Sequence, residues 1–83
     1  MMKITIKYFA SIREAVGQAT EQRETVATTV AGLRDELLAA EPSYACLSRG
    51  SAVRMALGQV MCDESALLTD GCEVAFFPPV TGG

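Results

Sequence analysis

The 83-residue chain contains no histidine and no tryptophan. Without histidine, Ser-His and Cys-His nucleophile pairs and His-ligated metal sites are excluded, and no metal site is expected. Cysteine is scarce: Cys46, Cys62 and Cys72 are an odd, widely spaced set with no C-x-x-C pair. That usage suits a reducing compartment better than a disulfide framework, and it reads as three small buried thiols. No uninterrupted apolar run exceeds four residues, so neither a signal-peptide core nor a membrane span is expected, and the predicted location is the cytoplasm. Basic residues are also few, 7 Lys and Arg against 10 Asp and Glu, for a net charge of −3. That balance argues against nucleic acid or an anionic membrane as the main partner.

What is present is a globular composition, 49% apolar and 20% charged. The length allows one small domain, which buries about 60–65% of the surface its unfolded chain exposes and is not expected to form a deep enzyme cleft unaided. Ile4, Ile6 and Tyr8 alternate with Lys3, Thr5 and Lys7, the period of a half-buried strand; Phe9 falls by parity on the wet face. Ser11 to Glu14 has the spacing of a capping box for a short helix that Gly17 can close. Thr20 to Val26 reads as an edge strand. Thr28 or Thr29 can cap a longer helix with the stripe Val30, Leu33, Leu37 and Leu38, weakened by Gly32 and stopped by Pro42.

Ser43 to Ala52 reads as loop. Val53, Met55 and Leu57 alternate, Gly58-Gln59 offers glycine at the first central position of a hairpin turn, and Val60 to Cys62 is the return strand. Asp70-Gly71 signals a turn before a last strand, Glu73 to Phe77, with Val74 and Phe76 inward and Glu73, Ala75 and Phe77 outward. One helix laid across a small mixed sheet is an α+β domain over residues 1–77.

Residues 78–83 then stand apart as an extended, flexible tail. Pro78 and Pro79 remove two backbone donors, Val80 and Thr81 follow, and Gly82 and Gly83 add no side chain. The result is a thin arm roughly 20 Å long at about 3.3 Å per residue, suited to carrying a carboxylate into a partner's narrow tunnel. A frayed end is the plainer alternative. Phe9, Phe77 and Met61 supply apolar surface away from the helix, which is either ordinary scatter or a docking patch beside the tail. Beyond Arg54 there is no Lys or Arg, while Asp63, Glu64, Asp70 and Glu73 are acidic. These acids form either a solvated face or a surface steering toward a basic mouth.

The run Leu68 to Gly83, LTDGCEVAFFPPVTGG, closely resembles the end of the small subunit of molybdopterin synthase, the MoaD family. Tyr8 to Glu14 is similar to that family's F-F/Y-A-x-[VIL]-R-E opening. Gly58 departs from an Asn common in relatives, and both residues suit a tight turn. The resemblance implies a ubiquitin-like β-grasp fold with first and last strands adjacent and parallel. It implies a sulfur carrier whose Gly83 is adenylated by a ubiquitin-activating-like enzyme that consumes ATP and Mg²⁺. A sulfur donor linked to a cysteine desulfurase then makes the thiocarboxylate. Pro78 to Gly82 would enter the large subunit of a heterotetramer, where the sulfur reaches cyclic pyranopterin monophosphate. Phe9, Met61 and Phe77 would dock that subunit, and no cofactor would be held stably. The alternatives are a carrier for thiamine or another thiolated product, a ubiquitin-like modifier conjugated to lysines, and an interaction domain with an inert tail.

Overall fold

Alternation in the first strand is matched by burial: Ile4, Ile6 and Tyr8 are all but inaccessible to solvent, while Lys3, Thr5 and Lys7 face outward. The structure, a computed structural model, describes residues 2–47 and 53–78. The elements are β1 (Met2–Tyr8), α1 (Ala10–Val16), β2 (Thr20–Thr25), α2 (Val30–Ala40), a 3₁₀ turn (Pro42–Leu47), β3 (Arg54–Leu57), β4 (Val60–Cys62) and β5 (Glu73–Phe77). Five strands form one mixed sheet in the order β2-β1-β5-β3-β4. β1 and β5 pair in parallel, with Tyr8 beside Phe76, and the other neighbours are antiparallel. Val30, Leu33 and Leu37 of α2 join Ile4, Ile6, Tyr8, Val74, Phe76 and Met55 in one core, with Leu38 half-buried at its margin. The expected α+β arrangement, with adjacent parallel outer-sequence strands, is therefore present.

The N-terminus of α2 is satisfied twice. Thr29 accepts from the Gly32 N–H at 3.1 Å, as its residue type predicts. The Val30 and Ala31 N–H groups donate to the carbonyls of Ala66 and Glu64, so the 64–68 connection lies across the helix start. Arg34, one turn on, is buried and ion-paired with Glu64, with its Nε left unpartnered. At Gly32 a Cβ would stand 3.3 Å from the Ala27 Cβ and 3.4 Å from the Thr29 Oγ1, so a side chain there would press on Ala27.

Three expectations need correction. The helix α1 begins at Ala10, and its N-cap Phe9 makes no side-chain cap, so the Ser11–Glu14 capping box does not form. The backbone replaces it, with the Ile12 and Arg13 N–H groups donating to the Phe9 carbonyl. Pro42 to Leu47 is a 3₁₀ turn rather than loop, because burying Tyr44 and Leu47 pulls it onto the core; the rest of the expected loop, 48–52, lies outside the described residues. The Gly58-Gln59 turn closes the β3–β4 hairpin as expected, with glycine at its first central position; both residues have positive φ, 57° and 69°, a type I′ turn that follows the sheet's twist. Ala75 is buried although its parity points away from α2; it pairs with Ala56, buried too, on the central part of the sheet.

One polar cluster ties these elements together. Glu21 on β2 accepts from the hydroxyls of Tyr8 (2.8 Å) and Tyr44 (2.7 Å) and is paired with Arg23, which also reaches Glu36 on α2. Burial first, then the Glu21 carboxylate, pushes both phenols above their ordinary value. Below the unfolded tyrosine value of about 10 this stabilisation is complete; above it the unfolded chain releases protons that the fold retains, so stability falls. Alkaline titration should therefore show delayed tyrosinate absorbance that rises together with loss of circular dichroism. Independent ionisation of both tyrosines in a still-folded chain would contradict the burial described.

Candidate functional site

The parallel pairing of β1 with β5 determines what stands at their shared end. Tyr8 and Phe76 face the core, so the next residue on each strand, Phe9 and Phe77, faces outward. Their rings stack with centroids 4.7 Å apart and planes 10° from parallel. Arg54 lies opposite Phe77 across β5–β3, and Met61 lies opposite Ala56 across β3–β4. Phe9, Ala10, Arg54, Met61, Phe77 and Pro78 line a shallow apolar depression of about 450 Å³. Phe9 and Met61 are among the large apolar side chains most open to solvent, and Phe77 is half-buried. The structure therefore brings the three expected patch residues together.

Pro78 belongs to the same lining, so the segment that follows is attached at the patch. Pro79, Val80, Thr81, Gly82 and Gly83 lie outside the described residues. Two lining residues were not singled out from the sequence. Arg54 could have been, since Val53, Met55 and Leu57 facing inward leave it outward. Ala10 could not, because nothing in its residue type signals its positive φ of 51°.

The acids that follow Arg54 in the chain are largely engaged within it. Lys7 pairs with Glu73 at 3.5 Å, Arg34 pairs with Glu64, and the Asp70 carboxylate accepts from the Lys3 N–H at 2.8 Å. Asp63 accepts from the Ser65 hydroxyl and N–H, which lowers its pKa. The one charged side chain in the apolar lining is Arg54. The patch itself thus offers a partner apolar area and one guanidinium rather than a sheet of negative charge.

Nucleophilic chemistry from side chains finds little support. Cys46, Cys62 and Cys72 are free and half-buried rather than fully buried. Burial raises the Cys46 and Cys62 thiols above their ordinary value, and Asp63 adds to the effect at Cys62, so the thiolate form is disfavoured at both. Among the described residues no group of three or more Cys, Asp or Glu side chains is placed to hold a metal ion. No helix among them is long and apolar enough to cross a membrane.

Comparison with known proteins agrees with this geometry. The ThiS family model matches residues 6–83. The Escherichia coli protein called molybdopterin synthase sulfur carrier subunit is 38% identical over 80 residues, which is 96% of this chain and 99% of that protein. Among solved structures, Haloferax volcanii small archaeal modifier protein 1 superposes with a TM-score of 0.81 at 22% identity, covering 96% of this chain and all of that one. A complex of subunits 1 and 2 of molybdopterin-converting factor from Helicobacter pylori contains a chain with a TM-score of 0.69 at 24% identity, covering 99% of this chain and 100% of that one. These structures share the ubiquitin-like β-grasp fold.

The outward and inward phenylalanines should separate by mutation. Phe76→Ala, which empties a core site, should destabilise by about 3–5 kcal/mol. Phe77→Ala, which loses partial burial and one ring stack, should cost about 1–2 kcal/mol. Urea midpoints at unchanged slope measure both; equal losses would remove Phe77 from the surface.

Proposed function

The chain belongs to the ThiS family, and from that premise we propose that it is the sulfur-carrying small subunit of a molybdopterin synthase. The observation that carries the reading is the position of the patch: Phe9, Met61 and Phe77 surround Pro78, where the Pro-Pro-Val-Thr-Gly-Gly run begins. A partner that covers the patch receives that run at the same moment. The shared surface then supplies binding, and the glycines supply a terminus thin enough to enter a narrow channel.

The chemistry resides in the Gly83 carboxyl group. A carboxylate is a poor acyl donor because its leaving group would be oxide. An activating enzyme of the ubiquitin-activating type would let a Gly83 carboxylate oxygen attack the α-phosphorus of Mg²⁺-bound ATP, with pyrophosphate departing. A persulfide charged by a cysteine desulfurase would displace AMP at the acyl carbon through its outer sulfur, and a thiol would then cleave the resulting acyl disulfide, leaving as a disulfide itself and releasing the thiocarboxylate. Its sulfur is softer and more nucleophilic than the oxygen it replaces. Delivered into the large subunit, it would attack cyclic pyranopterin monophosphate, and two such deliveries would build the dithiolene. The large subunit would bind and orient the substrate, consistent with the weakly activated thiols of this chain. Assembly as two small and two large subunits belongs to the same proposal, as does work in the cytoplasm.

A carrier for thiamine or another thiolated product would share the fold and the tail. It differs in its partner, so co-purification with a molybdopterin synthase large subunit separates the two. A lysine-conjugated modifier would instead leave isopeptide-linked products of higher mass.

The deciding experiment is intact mass after incubation with the activating enzyme, ATP and a sulfur source. The expected product exchanges one oxygen for sulfur at Gly83. A chain extended by one residue beyond Gly83 should stay folded and lose loading, and dithiolene synthesis by that extended chain would defeat the reading. Phe77→Ala should weaken large-subunit binding by at least about tenfold, the range of a central aromatic contact.

A further inference from the structure

The turn joining β1 to α1 is strained, and the strain falls at the patch. Ala10 has φ 51°, in the left-handed region that a residue with a Cβ rarely enters. Phe9 before it remains extended, with φ −125° and ψ 151°, and its N–H donates to the Phe76 carbonyl at 3.3 Å. Phe9 therefore keeps step with the sheet and presents its ring outward, onto Phe77. Three residues later Ile12 is in the core, and the Ile12 and Arg13 N–H groups both donate back to the Phe9 carbonyl. The chain must pass from an outward Phe9 to an inward Ile12 within a single turn. The left-handed residue between them accomplishes that reversal.

Glycine is the usual residue for such a backbone, yet alanine stands here. Its methyl group has a place, since Ala10 lines the apolar depression with Phe9, Arg54, Met61, Phe77 and Pro78. Strain retained at a contact surface is expected where it fixes that surface in advance. We propose that Ala10 is a positioning residue: its left-handed backbone holds the Phe9 ring stacked on Phe77 before a partner arrives, and its methyl completes the lining. The benefit is preorganisation, because a ring already held loses less freedom on docking. This inference rests on the reading that the patch docks a large subunit.

Two variants and two readouts test it. Upfield ring-proton shifts of Phe9, caused by the Phe77 ring, report the stack in the free chain, with Phe77→Ala as the zero. Ala10→Val, whose β-branched side chain is all but barred from the left-handed region, should lose much of that shift and weaken large-subunit binding about fivefold, the equivalent of one extra side chain ordered at docking. Ala10→Asn enters the left-handed region more readily than alanine, so it should retain the parental ring shifts. Parental ring shifts or parental affinity in Ala10→Val would overturn the proposal, as would loss of the shifts in a folded Ala10→Asn. Should Ala10→Val fail to fold, the ring shifts of Ala10→Asn decide alone. If the parent chain itself does not bind a large subunit, the functional reading fails, and the ring shifts still settle the role of Ala10.

Discussion

The parallel ladder between β1 and β5 is the constraint on which the rest depends. Thr5 to Tyr8 run beside Glu73 to Phe76, and the ladder is fastened at both ends. At one end the Gly71 N–H donates to the Lys3 carbonyl at 2.7 Å and the Asp70 side chain accepts from Lys3; at the other the Phe9 N–H donates to the Phe76 carbonyl. This one pairing does two things. It places Ile6 and Tyr8 beside Val74 and Phe76 to make the centre of the core, and it delivers Phe9 and Phe77 to the outer face as neighbours. Core and contact surface are the two sides of the same register, so a slip by one residue would lose both.

Polar contacts serve a different purpose. Glu21 gathers Tyr8, Tyr44 and Arg23, linking β1, β2 and the 3₁₀ turn, and Arg23 carries the link on to Glu36 of α2. Arg34 and Glu64 join α2 to the connection that precedes β5. In each case a charged group sits between elements that apolar packing alone would leave free to slide. The patch around Phe77 has a single guanidinium in its lining, which leaves its apolar area available to another protein.

Much of this was legible in the residues. Two-residue alternation located β1, β3 and β5, and the stripe of Val30, Leu33 and Leu37 located α2, because those patterns follow directly from which side chains must leave water. Parity alone placed Phe9 and Phe77 outward. The resemblance of the final run to MoaD added what alternation cannot supply, the pairing of first and last strands. The misses share a cause. The Ser11–Glu14 box, the loop after Pro42 and the outward Ala75 were read from local preference, and tertiary contacts overrode it: the Phe9 carbonyl took the helix start, burial of Tyr44 and Leu47 coiled the 42–47 segment, and a central strand position hid Ala75. Arg34 was missed because an arginine on a helix ordinarily reaches water, and only the fold shows Glu64 waiting for it.

The span of the β1–β5 ladder also dictates an order of events. Thr5 and Glu73 are partners, and 73 − 5 = 68 positions separate them along the chain. Bringing them together closes a very long loop, whereas Tyr8 needs to find only Ala19 across the α1 connection. Contacts that remote slow the search for the native state. The β1–β2 pair can therefore zip early, leaving the other edge of β1 unsatisfied until β5 arrives. For that interval a bare row of amides and carbonyls, backed by Ile4 and Ile6, is open to any passing extended segment.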